Sequence, residues 1–180
     1  MFTKTTISAI RALAFLGLEG ANQPRPPRYI AERLGESPTY LAKVMRRLVR
    51  AGILRAHRGV AGGLTLNRAP EEVSLLEIVE ASQGAILGDF CQDAEKLEAT
   101  CALHHAGAEL HAAIVGVLSR WTLADVIERP CPGKAYRGQV ECLLEPLGEL
   151  APRLRAGDRV PKRRRRPRAG VRAKRSSGRA

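Results

Sequence analysis

Thr39, Tyr40, Lys43, Arg46, Arg47 and Arg50 recur at intervals that place hydroxyl, phenol and cationic groups on the polar side of one helix. Such a set can donate to phosphate oxygens and to base edges in a major groove. Among them run Leu41, Val44, Met45, Leu48 and Val49, an apolar stripe that would turn the basic face outward. A further basic point is Arg58, within HRGVAGG at residues 57–63. There Gly59, Gly62 and Gly63 permit a sharp reversal and a close approach of backbone to phosphate. An arginine at the tip of such a loop can reach a phosphate or a narrow minor groove. Arg28 and Ser37, just upstream, complete the candidate DNA contacts.

These groups need elements to hold them, and the flanking sequence supplies them. Ile30, Ala31 and Leu34 recur at helical spacing, and Gly35 stands where a C′ residue ends a helix. Ser37-Pro38 restarts a helix, with Ser37 as N-cap and Pro38 at N1. Ala51-Gly52 ends it, Ile53-Leu54 opens a strand, and Leu64-Thr65-Leu66 returns. The order is helix, turn, helix, wing, a device for laying one helix in a major groove. One basic helix alone is usually just a solvated surface. The glycine-rich wing directly behind it argues for DNA.

The remaining pattern is mainly helical. Thr3–Leu18 reads as an amphipathic first helix with Ile7, Ile10, Leu13, Ala14 and Leu18 inward and Arg11 outward. Asn22–Pro27, with three prolines, reads as a loop. Ser74 and Glu77 form a capping box for a helix carrying Leu75, Ile78 and Val79, ended by Gly84. Residues 85–100 lack a sustained period and are expected to be a loop. Cys101–Trp121 is Ala-rich, with Leu103, Leu110, Ile114, Val117 and Leu118 as its stripe, while Ala112 and Ala113 allow close helix approach. This long helix is the expected homodimer seam, with packing within one chain alone as the alternative. Thr122–Ile127 caps a further turn. Beyond residue 129, prolines at 130, 132, 146 and 152 interrupt the pattern, and Gln139–Leu150 reads as one short helix. The expected fold is therefore mainly α: a winged helix-turn-helix domain with a small β-hairpin wing and a long C-terminal dimerisation helix. The expected divisions are a DNA-binding domain at 1–84 and a cysteine-containing loop and dimerisation helix at 85–128. A variable segment comes next at 129–152, then a disordered basic tail at 153–180.

Charge is segregated along the 180 residues. Residues 1–67 hold 11 Lys/Arg against 3 Asp/Glu, residues 68–152 hold 6 against 14, and residues 153–180 hold 13 against 1. The first block has the electrostatic footprint of a nucleic-acid module. The acidic middle block would repel DNA, which suits a dimerising or sensing part. The tail has too few apolar residues to bury and is expected to add sequence-independent affinity for phosphate, RNA or another polyanion, with a solubilising extension as the alternative. No apolar run reaches a membrane-spanning length, and Met1 is followed at once by a helix pattern, so a soluble, cytoplasmic protein is expected.

The chain resembles the Rrf2 family of bacterial winged-helix regulators, a group that includes iron–sulfur and nitric-oxide sensors. The resemblance rests on TK…AIRAL near the start, IAERLGESPTYLAKVMRRLVRAGIL, the RGVAGG wing, LLEIVEASQG, and Cys101 through TLADV. Together these cover about residues 3–128. The resemblance implies a homodimer, joined through the helix at 101–121, that binds a palindromic double-stranded DNA operator and usually represses transcription.

It also implies an iron–sulfur cluster held by three cysteines. Cys91 stands where the first belongs, Cys101 where the last belongs, and His104 in the place of the histidine ligand of the 2Fe–2S branch, which favours 2Fe–2S over 4Fe–4S. The middle cysteine is absent, since Gln92–Thr100 contains none. Some relatives take an acidic ligand from the first helix, but Thr6, Ile7 and Ser8 cannot supply one. Cys91, Cys101 and His104 are thus one ligand short, with Asp93, Glu95, Glu98, His105 or a partner-subunit group as the fourth. Zinc, with His104 and His111 one heptad apart, and a Cys91–Cys101 thiol switch are the competing chemistries. Four unrelated thiols are the plain alternative. Cys131 and Cys142 lie beyond the motif, and a structural disulfide framework does not suit the cytoplasm.

The leading function is a DNA-binding repressor answering to a cluster or to a redox or nitric-oxide signal. The alternatives are a cluster-free regulator sensing a small ligand or partner protein, and a sequence-independent binder driven by the tail. No nucleophile–base motif or phosphate-binding glycine loop is present, which argues against an enzyme.

Overall fold

The computed structural model describes residues 2–20, 23–59, 62–86, 101–130 and 142–155. Helix α1 (Lys4–Glu19) is capped at Thr3, whose hydroxyl accepts the Thr6 amide. Helices α2 (Pro27–Leu34) and α3 (Pro38–Arg50) follow, then the antiparallel hairpin of β1 (Leu54–His57) and β2 (Gly63–Leu66). A 3₁₀ turn at Pro70–Glu72 leads into α4 (Leu75–Gln83), and beyond it lie α5 (Ala102–Arg120), α6 (Leu123–Glu128) and α7 (Glu145–Arg155). The mainly helical, winged helix-turn-helix expectation holds.

Helix α1 is the expected first helix, with Ile10, Leu13 and Ala14 inward, but it is buried more fully than its amphipathic pattern implies. Ala9, Ala12, Leu13, Ala14 and Phe15 are all fully buried, because α2, α3, α4, α6, α7 and β2 pack around it. Its small residues make that possible. A Cβ on Gly17 would come within 2.3 Å of Ile127 Cδ1 on α6. Arg11 is correspondingly half-buried rather than outward. Its Nε donates to the Leu143 carbonyl at 2.6 Å, and its guanidinium lies 3.7 Å from Glu36.

Two capping boxes seen in the sequence or implied by it are formed, Ser74 with Glu77 and Thr122 with Asp125. A short bridge joins them: Leu75 N–H donates to the Trp121 carbonyl and Leu123 N–H to the Val73 carbonyl, each at 2.8 Å. The α5–α6 junction is thereby pinned to the start of α4. Leu118, Val79 and Ile86 form a small second cluster there.

The expected helix at Gln139–Leu150 is shifted. Helix α7 starts at Glu145, places Pro146 in its first turn, where a missing N–H costs nothing, and continues through Pro152 to Arg155. Leu147, Leu150 and Ala151 are buried, the two leucines in the main core beside α1. The segment assigned as variable therefore supplies core, and the boundary expected at residue 153 falls inside α7. Residues 156–180 of the expected tail lie outside the described residues, as do 87–100 of the expected loop. No helix among the described residues is long and apolar enough to cross a membrane.

Candidate nucleic-acid interface and cysteine corner

The turn between α2 and α3 is built as its residues require. Gly35 takes the left-handed conformation (φ 70°, ψ 25°), and its N–H donates to the Ala31 carbonyl. Glu36 is held by the Ser8 hydroxyl, which donates to its Oε1 at 3.0 Å. Ser37 occupies the N-cap position of α3, but its side chain makes no capping bond and is exposed.

Helix α3 buries Leu41, Val44, Met45 and Leu48, the stripe read from the sequence. Its polar residues fall into two rows. At about 100° per residue, Thr39, Lys43, Arg46 and Arg50 lie within an arc of about 60°. All four are exposed, and among the described residues none of the three cations makes an ion pair. Tyr40, half-buried, and Arg47, exposed like the first four, form the second row, and each has a protein acceptor. The Tyr40 hydroxyl donates to Thr5 Oγ1 at 3.1 Å, with the Lys4 ammonium 5.9 Å from its ring centre. The Arg47 guanidinium donates to the Ser82 carbonyl at the end of α4. Arg28 stands exposed on α2, paired with Glu32 one turn on at 3.1 Å.

In the wing, His57 pairs with Gly63, and His57 Nε2 lies 2.9 Å from Thr65 Oγ1. Arg58 and Gly59 are exposed at its outer end, and Gly59 has φ of 103°. Gly62 and Gly63 have an internal reason to be glycine. A Cβ on Gly62 would sit 2.4 Å from the His57 carbonyl oxygen, and one on Gly63 within 2.6–2.8 Å of three backbone atoms of Arg25. Arg25 exchanges both backbone hydrogen bonds with Leu64, at 3.0 and 2.9 Å, so the expected loop at 22–27 lends the hairpin a third strand-like edge. The anchor is ionic: Arg25 Nε faces Glu19 Oε2 at 2.6 Å, and Tyr29 donates to the other Glu19 oxygen at 2.7 Å. The sequence signal for it is the Glu19, Arg25, Tyr29 set, which nothing local connects.

The proposed metal residues are described only in part. Cys91 lies outside the described residues. Cys101 is exposed at the N-cap of α5, and its Sγ lies 3.2 Å from His104 Nδ1. The His104 imidazole, helped by the His104 and Leu103 backbone amides, pulls the Cys101 thiol down to about 7. Thiolate and imidazole thus meet at one corner, the chemistry an iron or zinc site needs. Among the described residues no group of three possible metal ligands forms.

Helix α5 carries its apolar stripe largely in the open. Leu118 is buried, whereas Leu103 is 69% and Leu110 54% exposed.

Comparison with known proteins fits this geometry. The Rrf2 family profile, described as an iron-dependent transcriptional regulator, matches residues 2–129. The chain is 31% identical over 130 residues to the HTH-type transcriptional regulator NsrR of Bacillus subtilis (strain 168), covering 70% of this chain and 89% of that one. It is 30% identical over 131 residues to the HTH-type transcriptional repressor NsrR of Streptomyces coelicolor, covering 71% and 88%. The solved structure of CymR, the global cysteine regulator of B. subtilis, shares the fold with a TM-score of 0.58 at 22% identity, covering 71% of this chain and 96% of that one.

Proposed function

The chain belongs to the Rrf2 family of DNA-binding transcriptional regulators, and we propose that it acts as a homodimeric repressor of a palindromic operator. The observation that carries this reading is the row of Thr39, Lys43, Arg46 and Arg50, open to solvent and without an ion pair among the described residues. Thr39 and Lys43, toward the helix N-terminus, enter the groove first and meet base edges. Ser37, Tyr40 and Arg28 flank them, and Arg46 meets phosphate. Arg58 and Gly59 reach the backbone or the minor groove beside the half-site, while Gly62 and Gly63 hold the wing in shape. The open stripe of α5 supports a second protomer there, which would set the spacing of two half-sites.

Cys101 and His104 fit one edge of an iron–sulfur cluster, since a thiolate and an imidazole already share a corner. Cys91 would supply the second thiolate, and the histidine favours 2Fe–2S. When bound, such a cluster supplies sensitivity to oxidants and nitric oxide. The chain's own part is to present the Cys101 thiolate at neutral pH and to orient His104 beside it. That same lowered thiol supports a second reading, a cluster-free regulator in which Cys101 itself meets the oxidant.

Two measurements test the proposal. Selection from a random-sequence duplex pool should return a palindrome bound by two protomers, and asymmetric or unselected DNA would overturn the dimeric repressor. Anaerobic purification with iron and sulfide analysis should give stoichiometric iron and sulfide that Cys101→Ala loses. A colourless protein that still selects the palindrome would leave the thiol reading.

A further inference from the structure

The basic residues of α3 do not all face one way, and Arg47, though exposed, is the one whose guanidinium has a backbone acceptor on another helix. Its guanidinium sits on the Ser82 carbonyl in the last turn of α4. The final carbonyls of a helix lack intrahelical partners and carry partial negative charge, so a cation is favoured there. Ser82 is fully buried, its hydroxyl donating to the Val79 carbonyl at 2.9 Å and lying 2.8 Å from the Thr6 hydroxyl. Thr6 and Thr3 donate to Gln83 Oε1 at 2.9 and 3.0 Å. The end of α4 is thus fastened to α1 by hydroxyls and to α3 by one arginine.

We propose that Arg47 is a positioning residue for DNA recognition: it fixes the rotation of α3 against the end of α4, and thereby aims the row of Thr39, Lys43, Arg46 and Arg50. The chemistry of the bond sets the consequence. A cation that neutralises a phosphate contributes equally on every sequence and adds about one to the salt dependence of binding. A guanidinium bonded to the protein's own neutral carbonyl keeps its charge but makes no phosphate contact, so it displaces no counterion of its own. Losing it lets the helix settle differently, which harms only contacts that depend on register. Helix α4 ends at Gln83, one residue beyond this carbonyl, so the same bond makes the aim of α3 depend on how that end of α4 is held.

The experiment uses the full chain, the duplex it selects from a random pool, and a scrambled duplex of equal length and composition. Fluorescence anisotropy at several salt concentrations gives affinity and salt slope for wild type, Arg47→Gln and Thr6→Val. For Arg47→Gln the expected result is about a tenfold loss on the selected duplex. Affinity for the scrambled duplex should stay within about twofold, with an unchanged slope. Equal weakening on both duplexes, with the slope reduced by about one, would make Arg47 a phosphate contact and overturn the proposal. Thr6→Val removes no charge and loosens the same end of α4, so it should also lose preference for the selected duplex, and unchanged preference counts against the proposal. The inference rests on α3 reading DNA. A wild type that prefers no duplex defeats that reading itself, whereas a selective wild type with a phosphate-like Arg47 defeats only this inference.

Discussion

Replacing Gly63 by alanine separates two uses of a wing glycine, approach to DNA and approach to the protein's own backbone. The added Cβ would stand 2.6 Å from the Arg25 carbonyl carbon, 2.7 Å from its nitrogen and 2.8 Å from its oxygen. Ordinary contact is about 3.5–4.0 Å, so one chain must retreat by about 1 Å. Arg25 is poorly placed to give way, held by Glu19 at 2.6 Å and stacked over Tyr29 at 5.2 Å. The retreat therefore strains the two backbone bonds between Arg25 and Leu64. At about 0.5–1.5 kcal/mol net for each, Gly63→Ala should cost about 1–3 kcal/mol. Urea unfolding followed by far-ultraviolet circular dichroism, at one fixed protein concentration, measures this directly. Affinity for the selected duplex should fall as well, because the wing loses its edge. A stability change under about 0.5 kcal/mol with weakened DNA binding would refute the packing account. The glycine would then serve the phosphate approach that its sequence context suggests.

The same geometry sets other expected outcomes. Leu147→Ala in α7 removes a fully buried side chain from the main core and should cost about 2–5 kcal/mol in urea unfolding, and a loss under about 1 kcal/mol would place α7 outside the cooperative unit. His104→Ala should return the Cys101 thiol from about 7 toward its ordinary 9.0. Iodoacetamide alkylation at pH 7 should then slow by about tenfold or more, with the midpoint of its pH profile moving up, whereas an unmoved midpoint would assign the lowered pKa to the helix amides alone. Deleting residues 156–180, which hold 11 Lys/Arg and 1 Asp/Glu, should reduce the salt slope on any duplex yet leave preference for the selected one. Lost preference would mean that the tail, and not α3, carries recognition.

Local features are legible in the sequence, and long-range ones are hidden. Gly35, Ser74 with Glu77, and the Leu41–Val44–Met45–Leu48 stripe act within a few turns of chain, and each is found where the sequence puts it. Amphipathic periodicity places α1 correctly but underreads its burial, because it assumes one wet face and six neighbouring elements leave α1 little of one. Helix α7 begins later than its pattern suggests, and Pro146 and Pro152 look like breakers although the first is harmless in an opening turn. Within α3 the division of Thr39, Lys43, Arg46 and Arg50 from Tyr40 and Arg47 is contained in the 100° step alone. That step separates two rows without saying what lies beside either of them. Only the fold puts the Ser82 carbonyl next to Arg47, 35 residues away in sequence, and leaves Lys43 and Arg46 facing solvent. A basic helix face is therefore a composite. Arg47 has a protein acceptor, whereas Lys43 and Arg46 are exposed without an ion pair among the described residues, and it is the latter pair that the proposed function assigns to DNA.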